Sequence, residues 1–263
     1  MFSVDGFEVF QQALSANCLA ELREATVRVC GRFRRGDEAA AATGVSLGEY
    51  TERRPERNPG VSAADLGSEP YILGNLAGMD VAFRRFLSRP HLWEIVAMLL
   101  GSSPDSLVYH YSQIVRKPAF VGASLSWHRD YANTYISTVG PYFVRLLIPL
   151  EDMAEANGGT GVVPRSHMIG DKEAMSREGR EEDGAGAIYP RVAAGDVLAI
   201  HSKLIHGGGP NRSNQDRQIL ALQFGLVDAP MLHTAEQIES LTMCRREQMV
   251  ESLNSTDLGD TRC

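Results

Sequence analysis

The spacing of apolar residues changes part-way along the chain, from a helical front to a strand-rich remainder. In the front part apolar residues recur at three- and four-residue steps, the spacing of one buried helix face. Ser15 is placed as an N-cap and Gly101 as a C-terminal stop for the two clearest helical stretches. The apolar positions are Phe10, Leu14, Cys18, Leu19, Leu22 and Val27 in the first stretch, and Phe83, Phe86, Leu87, Leu92, Ile95 and Leu99 within the second, Val81–Leu100.

Residues 36–70 interrupt this pattern with a polar stretch rich in glycine and proline. It contains Gly36-Asp37, the arginine pair Arg53-Arg54 and the turn Asn58-Pro59-Gly60. A loop of this length inside a compact domain is usually a functional lid or a disordered segment. We therefore predict a lid-like loop over residues 36–70.

From about residue 105 onward, short apolar runs alternate with turn signals such as Asn157-Gly158-Gly159 and Gly195-Asp196. A helical front followed by many short strands predicts an α+β protein built on a jelly-roll barrel. A closing helix is predicted at Ala235–Leu253. The predicted strands lie at Leu107–Val115, Phe143–Leu150, Gly161–Val163, Val197–His201 and Ile219–Val227.

The chain has 263 residues, which is enough for one large domain with its own core. We predict a single domain in which residues 1–104 give helical support, 105–228 form the jelly-roll core, and 229–263 form the closing helix and a tail. The net charge of −7 argues against a nucleic-acid binder, which normally presents a basic face.

Targeting signals are missing from both ends, and no apolar run approaches the roughly 18 residues that a membrane span needs. The cysteines form no CxxC pair, which indicates free thiols in a reducing compartment. We therefore expect a soluble, cytoplasmic protein that works away from membranes. The cysteines are Cys18, Cys30, Cys244 and Cys263.

The segment Trp127-His128-Arg129-Asp130 carries the first candidate chemistry. Side chains two residues apart in a strand point to the same side, so His128 and Asp130 converge on one point. His206 is the best candidate for a third ligand, because it lies 78 residues after His128 at the end of a strand. Two histidines and one carboxylate on one face leave coordination positions open, an arrangement associated with Fe(II) oxygenases.

Arg217 is the second candidate. It lies 11 residues after His206, at the head of the next strand, where it can face the same barrel interior as the ligands. A guanidinium in such an interior is costly unless it meets an anion, and its fork matches a carboxylate in two-point fashion. A dicarboxylate co-substrate would therefore bind the metal at one end and Arg217 at the other.

Several motifs follow His128 and Asp130 in a fixed order: the segment from Asn157 to His167 (NGGTGVVPRSH), the segment from Gly195 to Leu198 (GDVL), and HGGGPNRS from His206, ending with Arg217. In this order the motifs resemble the phytanoyl-CoA dioxygenase family. The resemblance covers about residues 2–228 and includes Asp5-Gly6-Phe7 near the start of the chain. It implies a double-stranded β-helix and a dioxygenase that uses Fe(II), 2-oxoglutarate as co-substrate and O₂, with ascorbate supporting activity.

The resemblance also assigns roles to single residues. His128, Asp130 and His206 match the iron ligands, and Arg217 matches the arginine that binds the distal carboxylate of 2-oxoglutarate. Gln113 and Thr160 fall where some relatives touch the co-substrate.

Two positions, Arg165 and Asp130, are compared with the residues usual in the family and its superfamily. Arg165 stands where the family usually has glycine, a departure that affects a loop and not the metal site. Halogenases of the superfamily have a small residue at the position of Asp130, so an aspartate there favours hydroxylation.

Residues that would meet the substrate are less defined. Tyr131 and Tyr135 follow Asp130 and could line the substrate mouth or could merely pack. Tyr71, with Arg53 and Arg54, could meet a substrate or belong to a solvated loop. The substrate itself stays open, with a natural-product intermediate as the favoured class.

Other histidines compete with His206 for the role of third ligand. His167 follows Pro-Arg-Ser in a turn and is predicted to be a hydrogen-bonded loop residue. His201 lies five residues before His206, and odd spacing on a regular strand would put the two on opposite faces. His110 alternates with Tyr109 and Tyr111 and is predicted to face away from the side that they line.

The expected reaction is hydroxylation of an unactivated C–H bond of a small molecule, with release of succinate and CO₂. Desaturation, epoxidation and ring rearrangement stay open, because they diverge from hydroxylation only after hydrogen abstraction. Two rivals from other classes are a non-catalytic jelly-roll protein that binds a small ligand and a zinc hydrolase with a metal-bound water. Arg217 argues against the hydrolase, which has no need of that arginine.

Overall fold

A computed structural model describes residues 2–34, 60–62, 70–132, 136–177, 184–233 and 244–254 of the chain. The predicted lid-like loop lies largely outside these residues, and so do Arg53, Arg54 and Tyr135. The lid and the single-domain organisation therefore stay predictions. Among the described residues, no helix is long and apolar enough to cross a membrane.

Helices dominate the front part, as the apolar spacing predicts. The hydroxyl of Ser15 accepts a hydrogen bond from the backbone N–H of Cys18 at 3.3 Å, which confirms the predicted N-cap. Gly101 ends a helix with a left-handed φ of 62°, which confirms the predicted stop. The helices are α1 (Phe2–Asp5), α2 (Ala16–Arg34), α3 (Leu76–Met79), α4 (Val81–Leu87), α5 (Pro90–Leu100), α6 (Asp171–Arg177) and α7 (Arg246–Asn254).

Two details of the helix predictions are wrong, and a third is tested only in part. Phe10 lies in a strand, Phe7–Phe10, because its backbone pairs with the edge of the large sheet instead of continuing into α2. Val27 is 66% exposed, since the buried face of α2 runs through Ala25 and Val29 and leaves Val27 on the opposite side. The closing helix is present as α7, whereas residues 234–243 lie outside the described part of the chain.

The strands form antiparallel sheets. A six-stranded sheet has the order β1-β8-β6-β10-β3-β2, a smaller sheet has the order β4-β9-β7, and β11 pairs with β5. The predicted strands correspond to β3, β6, β7, β8 and β10. The bounds are β1 (Phe7–Phe10), β2 (Ile72–Gly74), β3 (Leu107–Lys117), β4 (Leu125–His128), β5 (Ser137–Thr138), β6 (Phe143–Pro149), β7 (Gly161–Val162), β8 (Val197–His201), β9 (His206–Gly208), β10 (Arg217–Leu226) and β11 (Met231–His233).

Alternation along the large sheet separates two hydrophobic cores. Leu146 and Leu220 face outward and pack with the helices. Leu147 and Ala221, their neighbours along the strands, face inward and pack with residues of the smaller sheet such as Val162. Helices on one face and a barrel interior on the other confirm the predicted α+β fold with a jelly-roll core.

A β-bulge in β3 changes the barrel interior near His110. Gln223 of β10 pairs with Tyr111 whereas Phe224 pairs with Tyr109, so His110 is the extra residue. Tyr109 consequently packs with Phe224 in the outer core, while Tyr111 lies beside Gln223 on the inner face. The expectation that Tyr109 and Tyr111 line one side, with His110 facing away, is therefore wrong.

Candidate metal and co-substrate site

Three predicted ligand residues meet at one point. His128 ends β4 and pairs directly with His206, the first residue of β9, while Asp130 follows two residues after His128. One ligand atom from each of the three side chains lies within 4.8 Å of the others. Within the part of the chain that the structure describes, this is the one group of its kind. The pairing of two short strands is what brings residues distant in sequence together.

Backbone carbonyls fix the orientation of both imidazoles. Nδ1 of His128 donates to the Ser126 carbonyl at 2.7 Å, and Nδ1 of His206 donates to the Leu204 carbonyl at 3.0 Å. Each Nδ1 is therefore engaged by the backbone, and Nε2 is the ring nitrogen that can face a metal. Burial, followed by the adjacent His206, lowers the pKa of His128 to about 4, so this ring is neutral near pH 7.

Asp130 supplies the anionic donor of the group. Its side chain is buried, with Oδ1 2.8 Å from Nη2 of Arg145 and Oδ2 3.8 Å from Nε2 of His206. Burial alone would raise the pKa of Asp130, but Arg145 and the two histidines outweigh burial and hold it below its usual value. Two imidazoles and one carboxylate are a donor set that fits a divalent iron ion with open positions.

Arg217 lies in the barrel interior, as predicted, and is 2% exposed. Nη1 donates to the Val115 carbonyl at 3.2 Å and Nη2 to the Gly158 carbonyl at 3.1 Å, whereas Nε has no acceptor among the described residues. Burial lowers the pKa of Arg217 to about 10, partly opposed by Glu151, so the guanidinium keeps its charge at neutral pH. A buried cation with a donor to spare fits a carboxylate ligand.

Lys117 is a further buried cation beside Arg217, and it was not among the site residues predicted from the sequence. It pairs across the sheet with Arg217, and its Nζ donates to the carbonyls of Gly158, Gly208 and Gly209 at 3.0, 3.2 and 2.6 Å. Burial, followed by Arg217, lowers its pKa. The two-residue alternation of β3 puts Lys117 on the same face as Gln113 and Val115, but the sequence alone does not show which carbonyls it meets.

Glycine is required where Lys117 meets these carbonyls. Gly158 has a φ of +72°, and a Cβ there would lie 2.8 Å from the Gly209 carbonyl oxygen. A Cβ on Gly208 would lie 2.6 Å from the Gly159 carbonyl oxygen. The glycine-rich motifs around residues 158 and 208 therefore let two loops approach each other beside the candidate ligand His206.

Gln113 and Thr160, the predicted co-substrate contacts, lie in the same region. Gln113 is half-buried on the inner face of β3, between Gly74 of β2 and Ala221 of β10. Thr160 immediately precedes β7, in which Val162 pairs with His206. Their contact with 2-oxoglutarate stays a prediction.

Of the tyrosines predicted to meet the substrate, the structure describes Tyr131 and Tyr71, and the two have different surroundings. The Tyr131 hydroxyl donates to the Val139 carbonyl at 2.9 Å, and Nζ of Lys203 lies 4.8 Å from its ring centre, which favours packing over a role at the substrate mouth. Tyr71 is buried, so its assignment to a solvated loop is wrong. A contact of either ring with substrate stays a prediction.

The competing histidines lie away from the ligand group. His167 and His201 pack together with ring centres 5.0 Å apart, and Nε2 of His167 is 3.3 Å from the Ser3 carbonyl. His201 ends β8 and His206 begins β9, so the two are separated by a turn and lie in different sheets. The argument from odd spacing along one strand therefore does not apply, although neither His167 nor His201 is in the group.

Comparisons with known proteins show the family. A family model described as phytanoyl-CoA dioxygenase (PhyH) matches residues 2–219, which is most of the chain. The chain belongs to the phytanoyl-CoA dioxygenase family. This confirms the resemblance inferred from the motifs.

Curated relatives of the chain are named as hydroxylases or dioxygenases. The chain is 26% identical to L-proline trans-4-hydroxylase of Streptomyces griseoviridis, over 68% of this chain and 75% of that protein. It is 27% identical to a probable alpha-ketoglutarate-dependent hypophosphite dioxygenase of Stutzerimonas stutzeri, over 63% and 65%. It is 29% identical to the Fe(II)/2-oxoglutarate-dependent dioxygenase nvfF of Aspergillus novofumigatus, over 57% and 49%.

Solved structures share the fold. AviO1 from Streptomyces viridochromogenes superposes with a TM-score of 0.65 at 24% identity, covering 87% of this chain and 93% of that one. EctD from S. alaskensis with 2-oxoglutarate and 5-hydroxyectoine gives a TM-score of 0.67 at 22% identity, covering 87% and 74%. Together with the family match, these findings show that this chain is an Fe(II)- and 2-oxoglutarate-dependent dioxygenase, as the sequence predicts.

Proposed function

We propose that the protein hydroxylates an unactivated C–H bond of a small molecule, using Fe(II) held by His128, Asp130 and His206. 2-Oxoglutarate would bind through Arg217. The observation that carries this assignment is the buried Arg217 guanidinium, whose Nε has no acceptor among the described residues. A zinc hydrolase using the same ligands would leave this charge without a function.

Each side chain has a defined task. The imidazoles of His128 and His206 would each give the metal a nitrogen lone pair, and Asp130 a negative charge that offsets part of the charge of the metal. Arg217 binds and orients the far carboxylate of the co-substrate. Bound together, Fe(II), 2-oxoglutarate and O₂ supply the oxidising chemistry, with release of succinate and CO₂.

We further propose a free small-molecule substrate, with a natural-product intermediate as the favoured class, and a cytoplasmic site of action. L-proline trans-4-hydroxylase, one of the relatives, is named for a free amino acid, which supports the first point. The net charge of −7 supports a partner other than nucleic acid. Asp130 at the ligand position supports hydroxylation over halogenation.

Turnover of a metabolite library tests this proposal. The purified protein is incubated with Fe(II), 2-oxoglutarate, ascorbate and O₂, and succinate is measured together with products that gain one oxygen atom. The wild-type protein is expected to form succinate with at least one compound. The substitution His206→Ala is expected to abolish this turnover, because it removes a metal ligand.

His167→Ala is the matched control, since it removes a histidine outside the ligand group. It is expected to keep the turnover of the wild-type protein. Succinate formation that survives His206→Ala, or a product that gains no oxygen, would contradict the proposed reaction.

A further inference from the structure

A chain of buried polar side chains runs from Asp130 across the barrel interior. Nη2 of Arg145 lies 2.8 Å from Oδ1 of Asp130 and donates to Oε1 of Gln223 at 3.2 Å. Nε2 of Gln223 lies 2.9 Å from Nδ1 of His110 and donates to the Ile136 carbonyl at 3.2 Å. The side chains of Asp130, Arg145, Gln223 and His110 are all at least nine-tenths buried. Arg145 and Gln223 were not among the residues singled out from the sequence.

The amide of Gln223 has one orientation in this chain. Burial, followed by the positive charge of Arg145, lowers the pKa of His110 to about 4, so the ring is neutral and Nδ1 can accept from the amide nitrogen. The Ile136 carbonyl can only accept as well. A flipped amide would place its oxygen against two acceptors, so Oε1 faces Arg145.

The strands explain why Arg145 reaches Asp130. Arg145 pairs with Gln223 on β10 and with Ile200 on β8, and it therefore shares the inner face with Gln223. The bulge at His110 sets Tyr111 opposite Gln223, and the Arg145 guanidinium lies 5.0 Å from the centre of the Tyr111 ring. Removing one partner of a buried ion pair is costly, so this geometry ties Arg145 to Asp130.

The two oxygens of the Asp130 carboxylate have different neighbours. Oδ1 is 2.8 Å from Arg145, whereas Oδ2 is on the side of His206, at 3.8 Å from its Nε2. The guanidinium therefore does not stand between the carboxylate and the two histidines. A carboxylate that is hydrogen-bonded on one oxygen is held in one orientation towards a metal.

We infer that Arg145 is a positioning residue that holds Oδ1 of Asp130 and presents Oδ2 to the metal, while Gln223 and His110 hold Arg145 in place. This inference rests on the proposed role of Asp130 as an iron ligand. It gives a function to a buried arginine in an otherwise apolar strand, Phe143–Pro149.

Anaerobic Fe(II) titration against a colorimetric chelator tests the inference. Arg145→Met is expected to weaken Fe(II) affinity by about 10- to 100-fold, the usual cost of losing a residue that orients a metal ligand. Arg145→Lys keeps the charge and is expected to restore part of the lost affinity. Arg116→Met is the matched control, because Arg116 is also a buried arginine of the large sheet but pairs with Asp216. This control is expected to bind Fe(II) like the wild-type protein.

Thermal unfolding of each metal-free variant separates positioning from folding. Gln223→Leu leaves the Arg145–Asp130 pair in place but removes the group that orients Arg145, so a smaller loss of Fe(II) affinity is expected even if Arg145→Met does not fold. Fe(II) binding by folded Arg145→Met that equals or exceeds wild-type binding would overturn the inference alone. Wild-type protein that binds no Fe(II) would overturn both this inference and the proposed function.

Discussion

At the scale of single residues, Arg145, Lys117 and Arg217 are buried cations inside the described part of the barrel, and they differ in their acceptors. Arg145 contacts the Asp130 carboxylate, Lys117 donates to three backbone carbonyls, and Arg217 donates to two. A buried guanidinium is stabilised well only by an anion. Arg217 is therefore the cation of the three that needs a carboxylate from outside the chain.

Arg217→Ala is expected to raise the KM for 2-oxoglutarate on the order of 100-fold, because truncating one partner of a buried charge pair costs about 2–5 kcal/mol. Fe(II) affinity should survive, since the three candidate ligands do not include Arg217. The measurement is a succinate assay over a range of 2-oxoglutarate concentrations, beside an anaerobic Fe(II) titration.

Arg212→Ala is the control for this substitution, because Arg212 is an exposed arginine in the same turn region. Its KM for 2-oxoglutarate should equal that of the wild-type protein. An unchanged KM in Arg217→Ala would remove the assignment of Arg217.

At this scale the sequence predicts residues that carry a motif and misses those defined by cross-strand neighbours. His128, Asp130 and His206 were predicted from spacing and resemblance, and the structure brings them together. Arg145 could not be predicted as their neighbour, because its contact with Asp130 depends on which strands pair and on a bulge at His110. The same limit applies to Lys117.

At the scale of elements, the site depends on strands too short to be stable alone. β4, β7 and β9 have two to four residues each; β4 and β9 carry the candidate ligands His128 and His206, and β7 pairs with β9. Lys117, at the end of the long strand β3, donates to carbonyls of β9 and of the loop before β7. Lys117 thus links the small sheet to the large one by hydrogen bonds.

Lys117→Met is expected to lower the free energy of unfolding by about 2–4 kcal/mol, because the carbonyls of Gly158, Gly208 and Gly209 each lose one hydrogen-bond donor. Urea denaturation of the metal-free protein measures this change. Lys172→Met, which alters an exposed lysine on α6, should shift the free energy of unfolding by less than about 0.5 kcal/mol. Equal stability of Lys117→Met and the wild-type protein would show that the small sheet is held by other contacts.

Element prediction succeeded where periodicity had room to repeat. The long strands β3, β6 and β10 and helix α2 lie close to the predicted positions, whereas the predicted helical stretch Val81–Leu100 is divided into α4 and α5, with Pro90 at the start of α5. Strands of two to four residues, such as β5 and β9, carry too few alternations to stand out. Phe10 of β1 was assigned to a helix because its spacing from Leu14 also fits a helical face, and only pairing with β8 decides between the two.

At the scale of the whole molecule, the large sheet separates two tasks. Its outer face packs with helices α2 to α5 in one core, and its inner face lines the barrel that contains the candidate site. Substitutions inside the barrel, such as Arg217→Ala, leave the outer core intact. The fold class and the general location of the site follow from the order of helices and strands, whereas the lid over residues 36–70 stays a prediction.

Anaerobic titration of the wild-type protein with Fe(II) and 2-oxoglutarate, followed by visible absorption, tests whether the barrel holds both together. 2-Oxoglutarate bound to a protein-held Fe(II) ion would give a charge-transfer band that neither component gives alone. We expect this band to appear with both components and to saturate at one Fe(II) per chain. A protein that binds Fe(II) but develops no band as 2-oxoglutarate is added would contradict this expectation.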